Sequence, residues 1–221
     1  MAPPLCGKCG AEGAALCQVC IEAEIIPYGP TCWNCGVKSP GGRSCERCRL
    51  PGTPSYVWLS TTYDTAASEL LKIYKFGHLR AAADTLANIM AQTALDFVDE
   101  STLLATNYLV VPLPTATSRR RQRGFDHSEL LARKIATCLG LKCVPALGCL
   151  GQSRQVGAKR SVRLAQSEGN YFVRLPSLIK GQRILLIDDV VTTGGSLRAA
   201  TKALRGVGAR RVDALVFAKR L

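Results

Sequence analysis

The sequence lacks any long hydrophobic run, since no stretch reaches the ~18 consecutive apolar residues of a membrane-spanning helix. Its first residues, Met1 to Cys6, have neither the basic start nor the apolar core of a secretory signal. Acidic residues are few, 16 against 29 Lys and Arg, and the two histidines, His78 and His127, lie outside any metal-ligand spacing. We therefore expect a cytoplasmic protein with no membrane span, an anionic partner and no histidine metal ligand.

The positive charge is concentrated in one part of the chain. Eleven basic and two acidic residues lie between 118 and 163, whereas residues 51–117 hold three basic and six acidic ones. A positive surface of this density favours a polyanionic ligand, either nucleic acid or a pyrophosphate compound. A solvated basic loop that keeps the protein soluble is the alternative interpretation.

Eight of the eleven cysteines form four Cys-x-x-Cys pairs within residues 1–50. A reducing compartment disfavours disulfides, and two such pairs supply the four thiolates of a closed tetrahedral zinc site. The segment has little apolar periodicity, so it needs the metal to fold. We predict two structural Zn²⁺ sites with sequential pairing, and interleaved pairing is the alternative. The predicted ligands are Cys6, Cys9, Cys17 and Cys20 in one site and Cys32, Cys35, Cys45 and Cys48 in the other.

A run of turn formers, Leu50 to Pro54, predicts a boundary between a zinc module, 1–50, and a main domain, 51–221. In the main domain, apolar patterns typical of strands and of helices alternate, which indicates a doubly wound, mostly parallel α/β sheet. The predicted strands span 56–63, 108–114, 183–187 and 212–217, and the predicted helices span 66–75, 81–98, 126–139 and 194–204. Residues 148–169 lack periodicity and predict a long, mobile loop of the kind that is usually functional.

The most informative motif follows the predicted strand at Arg183–Ile187. An acidic pair leads into a turn of small and hydroxylated residues and then into a helix, in the order Asp188, Asp189, Val190, Val191, Thr192, Thr193, Gly194, Gly195 and Ser196. In open α/β sheets, ligands bind where a strand leads into a helix N-terminus, whose N–H groups attract anions. The hydroxyls and glycines suit a phosphate, and the carboxylates are suited to accept hydrogen bonds from sugar hydroxyls. The order of residues therefore predicts a ribose 5-phosphate site.

Other interpretations of this motif fit less well. No lysine follows the glycines as in the phosphate loop of nucleotide hydrolases, and the Gly-x-Gly-x-x-Gly dinucleotide fingerprint is absent. The acidic pair of phosphorelay receiver domains lies near the domain's N-terminus and does not precede Thr-Thr-Gly. A tight turn without ligand remains an alternative, although adjacent carboxylates at a turn have no packing rationale.

With these residues in view, the chain resembles the ComF/GntX family of competence-associated proteins. The likeness covers nearly the whole chain and includes the phosphoribosyl diphosphate (PRPP) motif of type I phosphoribosyltransferases. Its other motifs are the Cys-x-x-Cys pairs, Leu70–Gly77, Val110–Pro114 and Arg123–Ala132. The family usually has Asn where this chain has Asp126. The resemblance implies a type I phosphoribosyltransferase-like fold with an N-terminal zinc-ribbon module.

The resemblance also implies function. It implies binding of PRPP with Mg²⁺, with Asp188 and Asp189 in the catalytic position, and binding of single-stranded DNA in natural transformation beside other DNA-uptake proteins. The alternatives are an active phosphoribosyltransferase, which displaces pyrophosphate from the ribose with a nitrogenous acceptor, and a PRPP-sensing regulator. The basic residues expected to contact the diphosphate or the DNA backbone are Arg119, Arg120, Arg121, Arg123, Arg154, Lys159, Arg160 and Arg163.

Overall fold

The computed structural model describes residues 3–76, 80–114, 126–149 and 171–220. The helices are α1 (Gln18–Glu24), α2 (Thr65–Phe76), α3 (Arg80–Phe97), α4 (Glu100–Thr106), α5 (His127–Cys138), α6 (Pro176–Ile179) and α7 (Gly195–Gly206). The strands are β1 (Val57–Thr62), β2 (Leu109–Pro112), β3 (Lys142–Cys143), β4 (Leu147–Cys149), β5 (Tyr171–Val173), β6 (Arg183–Val191) and β7 (Arg211–Lys219). Within these ranges, no helix has the length and apolar character to cross a membrane.

The central sheet has five strands in the order β1-β7-β6-β2-β3, and every pair in it is parallel. The predicted α/β class with a mostly parallel sheet is confirmed. Strands β4 and β5 form a separate antiparallel pair. Because parallel strands need crossover connections, helices cover both faces of the sheet.

The two faces of the sheet bury two apolar clusters. Alternate residues of β6 divide between them: Leu185 and Ile187 pack with α2, α3 and α5, whereas Ile184 and Leu186 pack with α6 and α7. This alternation follows from the two-residue period of a strand. Because β6 is buried on both faces, it is a continuous apolar run, and its polar residues begin where it leaves the core, at Asp188.

The N-terminal segment packs against both faces of this sheet. Leu16 and Ile25 join the cluster beneath α2 and α3, whereas Trp33 joins the cluster beneath α7. Between them the chain follows β1, where the Tyr28 amide donates to the Ser60 carbonyl at 3.0 Å. The two groups of cysteine pairs therefore reach opposite sides of the main domain.

Several features differ from the sequence expectations, among them the short elements α1, β3, β5 and α6, which were not predicted. Strand β6 continues past Ile187 to Val191, because β7 is long enough to pair with it as far as Lys219. The short helix α4 was not predicted, although Asp99 caps it by accepting from the Thr102 amide at 2.9 Å. Part of β4, Gly148 and Cys149, falls in the predicted loop 148–169, and the rest of that loop lies outside the described residues.

Asp126, which departs from the family's usual Asn, is the N-cap of α5. Its carboxylate accepts from the Ser128 amide at 3.1 Å and from the Glu129 amide at 3.4 Å. We expect Asp126→Ala to cost about 1 kcal/mol, a fall of about 2–4 °C in melting temperature, since an unfilled N-cap leaves these donors without an acceptor. Asp126→Asn keeps the cap, so thermal unfolding should place it within 1 °C or so of the parent. Equal losses in both variants would contradict the capping role.

Candidate phosphate-binding site

The turn between β6 and α7 leaves backbone donors open to solvent. Thr192 and Thr193 are exposed, Gly194 has a φ of 73°, and α7 begins at Gly195. The first helical bond runs from the Arg198 amide to the Gly194 carbonyl at 3.0 Å. In the described part of the chain, no backbone carbonyl accepts from the amides of residues 195–197. Together with the helix dipole, these donors make an anion site.

The acidic pair lies directly before this turn. The Asp188 carboxylate accepts from the Asp189 amide at 2.9 Å, and the Asp189 carboxylate pairs with the ammonium of Lys75 on α2. Burial, followed by the negative charge of Asp189, raises the pKa of Asp188 well above its ordinary value. Hydrogen-bond donors stabilise the ionised form of such a carboxylate, and the hydroxyls of a ligand are donors of this kind.

A cavity of about 50 Å³ lies at the turn. One carboxylate and most of the following loop line it: Asp188, Val190, Val191, Thr192, Thr193, Gly194, Gly195, Ser196 and Leu197. Tyr171, at the start of β5, hydrogen-bonds with Ser196, and its burial raises the pKa of the phenol to about 12. At neutral pH the Tyr171 phenol is therefore uncharged where it meets Ser196, in the first turn of α7.

The second cysteine module touches the other side of the same turn. The ring of Trp33 lies against Gly194, and the Arg198 guanidinium stands 5.1 Å from the centroid of that ring. Arg198 also donates to the Thr193 carbonyl at 2.9 Å and to the Asn34 side-chain oxygen at 2.7 Å. The loop is thus enclosed by the N-terminal segment on its buried side and open on its ligand side.

Gly194 is the position in this loop that tolerates no side chain. A Cβ there would lie 2.2 Å from the Trp33 ring, and the positive φ disfavours any other residue. We expect Gly194→Ala to cost about 2–4 kcal/mol, the sum of overpacking and backbone strain, in chemical denaturation. Gly195→Ala is the matched control, because a Cβ there meets nothing closer than 3.8 Å. A Gly194→Ala variant as stable as Gly195→Ala would show that the Trp33 contact is absent.

The cysteines group sequentially, as the sequence analysis favours. Each of two clusters brings four sulfur atoms within 4.8 Å of one another: Cys6, Cys9, Cys17 and Cys20, and Cys32, Cys35, Cys45 and Cys48. In both, the second and third sulfurs are 3.6 Å apart (Cys9 with Cys17, Cys35 with Cys45). Zn–S bonds of about 2.3 Å in a tetrahedron place sulfurs about 3.8 Å apart, so both clusters fit a structural Zn²⁺.

Each cluster also receives a hydrogen bond from an amide. The Cys17 backbone amide donates to the Cys6 sulfur at 3.4 Å, and the Asn34 side chain donates to the Cys48 sulfur at 3.2 Å. Hydrogen bonds of this kind orient thiolate ligands and stabilise their charge. Cys138, Cys143 and Cys149 belong to neither cluster. The donor set therefore consists of thiolates alone, with supporting amides, and it leaves no ligand position for a catalytic water.

Sequence reasoning missed the residues that support the loop from elsewhere. Lys75 lies within the Leu70–Gly77 motif, and no sequence pattern points to Asn34 or Arg198. Trp33 is buried, with 1% of its surface exposed. No sequence signal shows that it packs on Gly194, because the two positions lie 161 residues apart.

The predicted anion-contacting residues lie outside the part of the chain that the structure describes. These are Arg119, Arg120, Arg121, Arg123, Arg154, Lys159, Arg160 and Arg163. Their two segments leave the described region at Pro114 and Cys149 and re-enter it at Asp126 and Tyr171. Pro114 closely follows β2, the direct neighbour of β6 in the sheet. Tyr171 forms a side-chain hydrogen bond with Ser196. At least one end of each segment is therefore attached near the loop.

Residues 128–221 match the family model described as the phosphoribosyl transferase domain. The match includes the acidic pair and the turn, so the chain is a protein with a phosphoribosyl transferase domain preceded by two cysteine clusters. The resemblance to the ComF/GntX family is supported by this domain and by relatives that are named for DNA utilization and for competence. DNA utilization protein YhgH of Salmonella typhi is 28% identical over 221 residues, which cover 96% of this chain and 95% of that protein.

A second relative is competence protein F of Haemophilus influenzae, 23% identical over 221 residues, with 95% of this chain and 82% of that protein covered. Among solved structures, glutamine phosphoribosylpyrophosphate amidotransferase from B. subtilis matches 66% of this chain and 30% of its own, with 18% identity and a TM-score of 0.45.

Proposed function

We propose that the chain binds PRPP, or a related ribose 5-phosphate, at the loop of residues 188–196. The observation that carries this proposal is the position of a half-buried acidic pair directly before an exposed turn whose backbone donors are open. The proposed division of labour assigns residues 1–50 to metal binding and residues 51–221 to the phosphoribosyl site.

In this proposal the 5-phosphate accepts from the amides of residues 195–197 and from the hydroxyls of Thr192, Thr193 and Ser196. The ribose hydroxyls donate to Asp188 and Asp189, which lie on the sheet side of the turn. Lys75 balances the charge of Asp189, so a ligand approaches a pair with one net negative charge instead of two. Mg²⁺ would enter with PRPP and would neutralise charge on its diphosphate. Asp188 and Asp189 would help to hold it, because carboxylate oxygens are the donors that this ion prefers.

We further propose that the protein binds single-stranded DNA and acts in DNA uptake and natural transformation, in contact with other DNA-uptake proteins. The charge of the chain supports this, since eight of the eleven basic residues between 118 and 163 belong to segments 115–125 and 150–170, which join the described residues at Pro114 and Tyr171, close to the loop. The names of the two relatives, which refer to DNA utilization and competence, support it as well. Because zinc requires reduced thiolates, we propose the cytoplasm as the compartment.

The test is a fluorescence-anisotropy titration of labelled single- and double-stranded oligonucleotides at 50 and 200 mM salt. We expect tighter binding of the single strand, with an affinity that falls at least tenfold between the two salt concentrations, as phosphate contacts require. Replacing Arg119, Arg120 and Arg121 by Ala should weaken it. Replacing Arg205 and Arg210 should not, because they lie at the far end of α7, where the Arg205 side chain donates to the Arg210 carbonyl at 2.9 Å. Equal binding by all three proteins would overturn the proposal.

Active phosphoribosyl transfer is the second candidate, and the intact acidic pair and turn favour it. The reaction breaks the bond between the ribose C1 carbon and the pyrophosphate oxygen and forms a C1–N bond to a nitrogenous acceptor. Pyrophosphate leaves with the bonding electron pair, and the acceptor loses a proton. Incubation with PRPP, Mg²⁺ and a panel of free bases, followed by pyrophosphate detection, separates this function from binding alone.

A further inference from the structure

A continuous series of contacts joins the second cysteine cluster to the phosphate loop. The Asn34 amide group donates to the Cys48 sulfur at 3.2 Å, and its oxygen accepts from Arg198 at 2.7 Å. The other terminal nitrogen of Arg198 donates to the Thr193 carbonyl at 2.9 Å. One side chain of the N-terminal segment and one of α7 thus connect a metal-ligand sulfur with the backbone of the turn.

Trp33 makes a second, independent connection. Its indole nitrogen donates to the Ser44 hydroxyl at 2.9 Å, and that hydroxyl donates to the Pro54 carbonyl at 2.7 Å. With its edge fixed in this way, the ring presses on Gly194 and lies beneath Arg198. Since the ring is fully buried in the apolar cluster under α7, it has no room to move away.

We infer that Trp33, Asn34 and Arg198 are positioning residues that lock the Thr193–Gly194 turn to the second cysteine cluster, so that the loop keeps its ligand-ready shape only while a metal closes that cluster. The consequence for ligand affinity rests on the proposed function, whereas the consequence for the loop's conformation does not. The N-terminal segment is then part of the phosphate site and not a separate appendage.

The physical reason lies in the freedom of the turn. Gly194 holds a positive φ that glycine adopts and leaves with equal ease, and Thr192 and Thr193 are exposed. Among the described residues, Arg198 and Trp33 hold the Thr193–Gly194 part of the turn, from its buried side. The amides of residues 195–197 converge on one anion only if the turn is fixed. Trp33, Asn34 and Arg198 fix it from the buried side. Trp33 and Asn34 lie between two cysteine ligands, Cys32 and Cys35, so a closed cluster fixes the backbone on both sides of them.

The first cysteine cluster provides a matched comparison, because it packs on the opposite face of the sheet. Its residues contact the cluster under α2 and α3, and Gly7 lies against Ile73. Cys9 and Cys35 hold equivalent, exposed positions in the two clusters. Cys9→Ser and Cys35→Ser therefore each remove one ligand of one metal, yet only the second disturbs the module that touches the loop.

The decisive measurement is amide hydrogen exchange by mass spectrometry on the full chain, with peptides covering residues 190–200. We expect Cys35→Ser and Arg198→Met each to speed exchange in this peptide about tenfold, while Cys9→Ser and Arg205→Met leave it unchanged. Peptides from β2 and α3 serve as the folding control. Arg198→Lys, which keeps the charge but not the forked donors, should fall between wild type and Arg198→Met. Unchanged loop exchange in both Cys35→Ser and Arg198→Met would overturn the inference.

Calorimetric titration of PRPP with Mg²⁺ into the same variants tests the consequence for binding. We expect the dissociation constant to rise about tenfold in Cys35→Ser and Arg198→Met and to stay within twofold in Cys9→Ser and Arg205→Met. If the wild-type protein bound no PRPP, the proposed ligand would be wrong. The exchange data would still show whether Trp33, Asn34 and Arg198 fix the turn. Equal affinities in Cys9→Ser and Cys35→Ser, with wild-type binding intact, would refute the coupling.

Discussion

Asp188→Asn is expected to weaken PRPP binding about 10–100-fold and, at the same time, to raise the melting temperature at pH 7 by about 2–4 °C. Affinity falls because the ribose loses a charged acceptor. Stability rises because burial and the charge of Asp189 raise the pKa of Asp188, so its ionised form destabilises the folded state at neutral pH. Opposite signs for binding and stability are the signature of a residue retained for function.

Differential scanning fluorimetry with and without PRPP and Mg²⁺ measures both quantities in one series. The stability gained by Asp188→Asn should shrink as the pH falls through the raised pKa of Asp188, because wild-type Asp188 then becomes neutral as well. Asp96→Asn, an exposed position on α3, is the control and should change neither quantity. A variant that lost stability and kept its ligand-induced shift would assign Asp188 a structural role instead.

Removal of both metal ions is the second large effect, and we expect it to lower the melting temperature by more than 10 °C. Structural zinc contributes about 10–16 kcal/mol of apparent binding energy in small zinc domains. Here the loss also reaches the main domain, since Cys6, Cys20 and Trp33 are part of its two apolar clusters. Metal analysis should find two zinc ions per chain, one in Cys9→Ser or Cys35→Ser, and two in Cys138→Ser.

Thermal unfolding monitored by circular dichroism, before and after treatment with a strong chelator, gives the stability change. A freshly purified protein that carried no zinc, or whose melting temperature was indifferent to chelation, would show that the clusters are not metal sites. Cys138→Ser should match wild type in both experiments, because Cys138 is exposed and belongs to neither cluster.

The parts of the fold that sequence patterns predict are those with strong local periodicity. The buried run at 183–187, the helix at 194–204 and the four Cys-x-x-Cys pairs each carry their signal within a few residues. The length of β6 could not be predicted in this way, because Asp188 to Val191 are strand only through pairing with β7. The cap of α4 at Asp99 did have a local signal, an acidic residue followed by Glu, Ser and Thr.

The candidate site likewise combines residues that have a local sequence signal with residues that only the fold brings close. Its ligand side, the acidic pair and the turn, is contiguous in sequence and follows from residue chemistry. Its support comes from three distant elements: Lys75 on α2, Trp33 and Asn34 in the second cysteine module, and Tyr171 on β5. Each of these contacts depends on the tertiary arrangement, so the spacing of residues along the chain does not predict it.

The central claim, that the loop of residues 188–196 is a ribose-phosphate site, is tested most directly by calorimetric titration of PRPP with Mg²⁺ into the full, zinc-loaded chain. We predict one ligand per chain, competition by ribose 5-phosphate, and loss of measurable heat in Asp188→Asn/Asp189→Asn. Absence of heat in the wild-type protein, or binding that survives in the double variant, would contradict it.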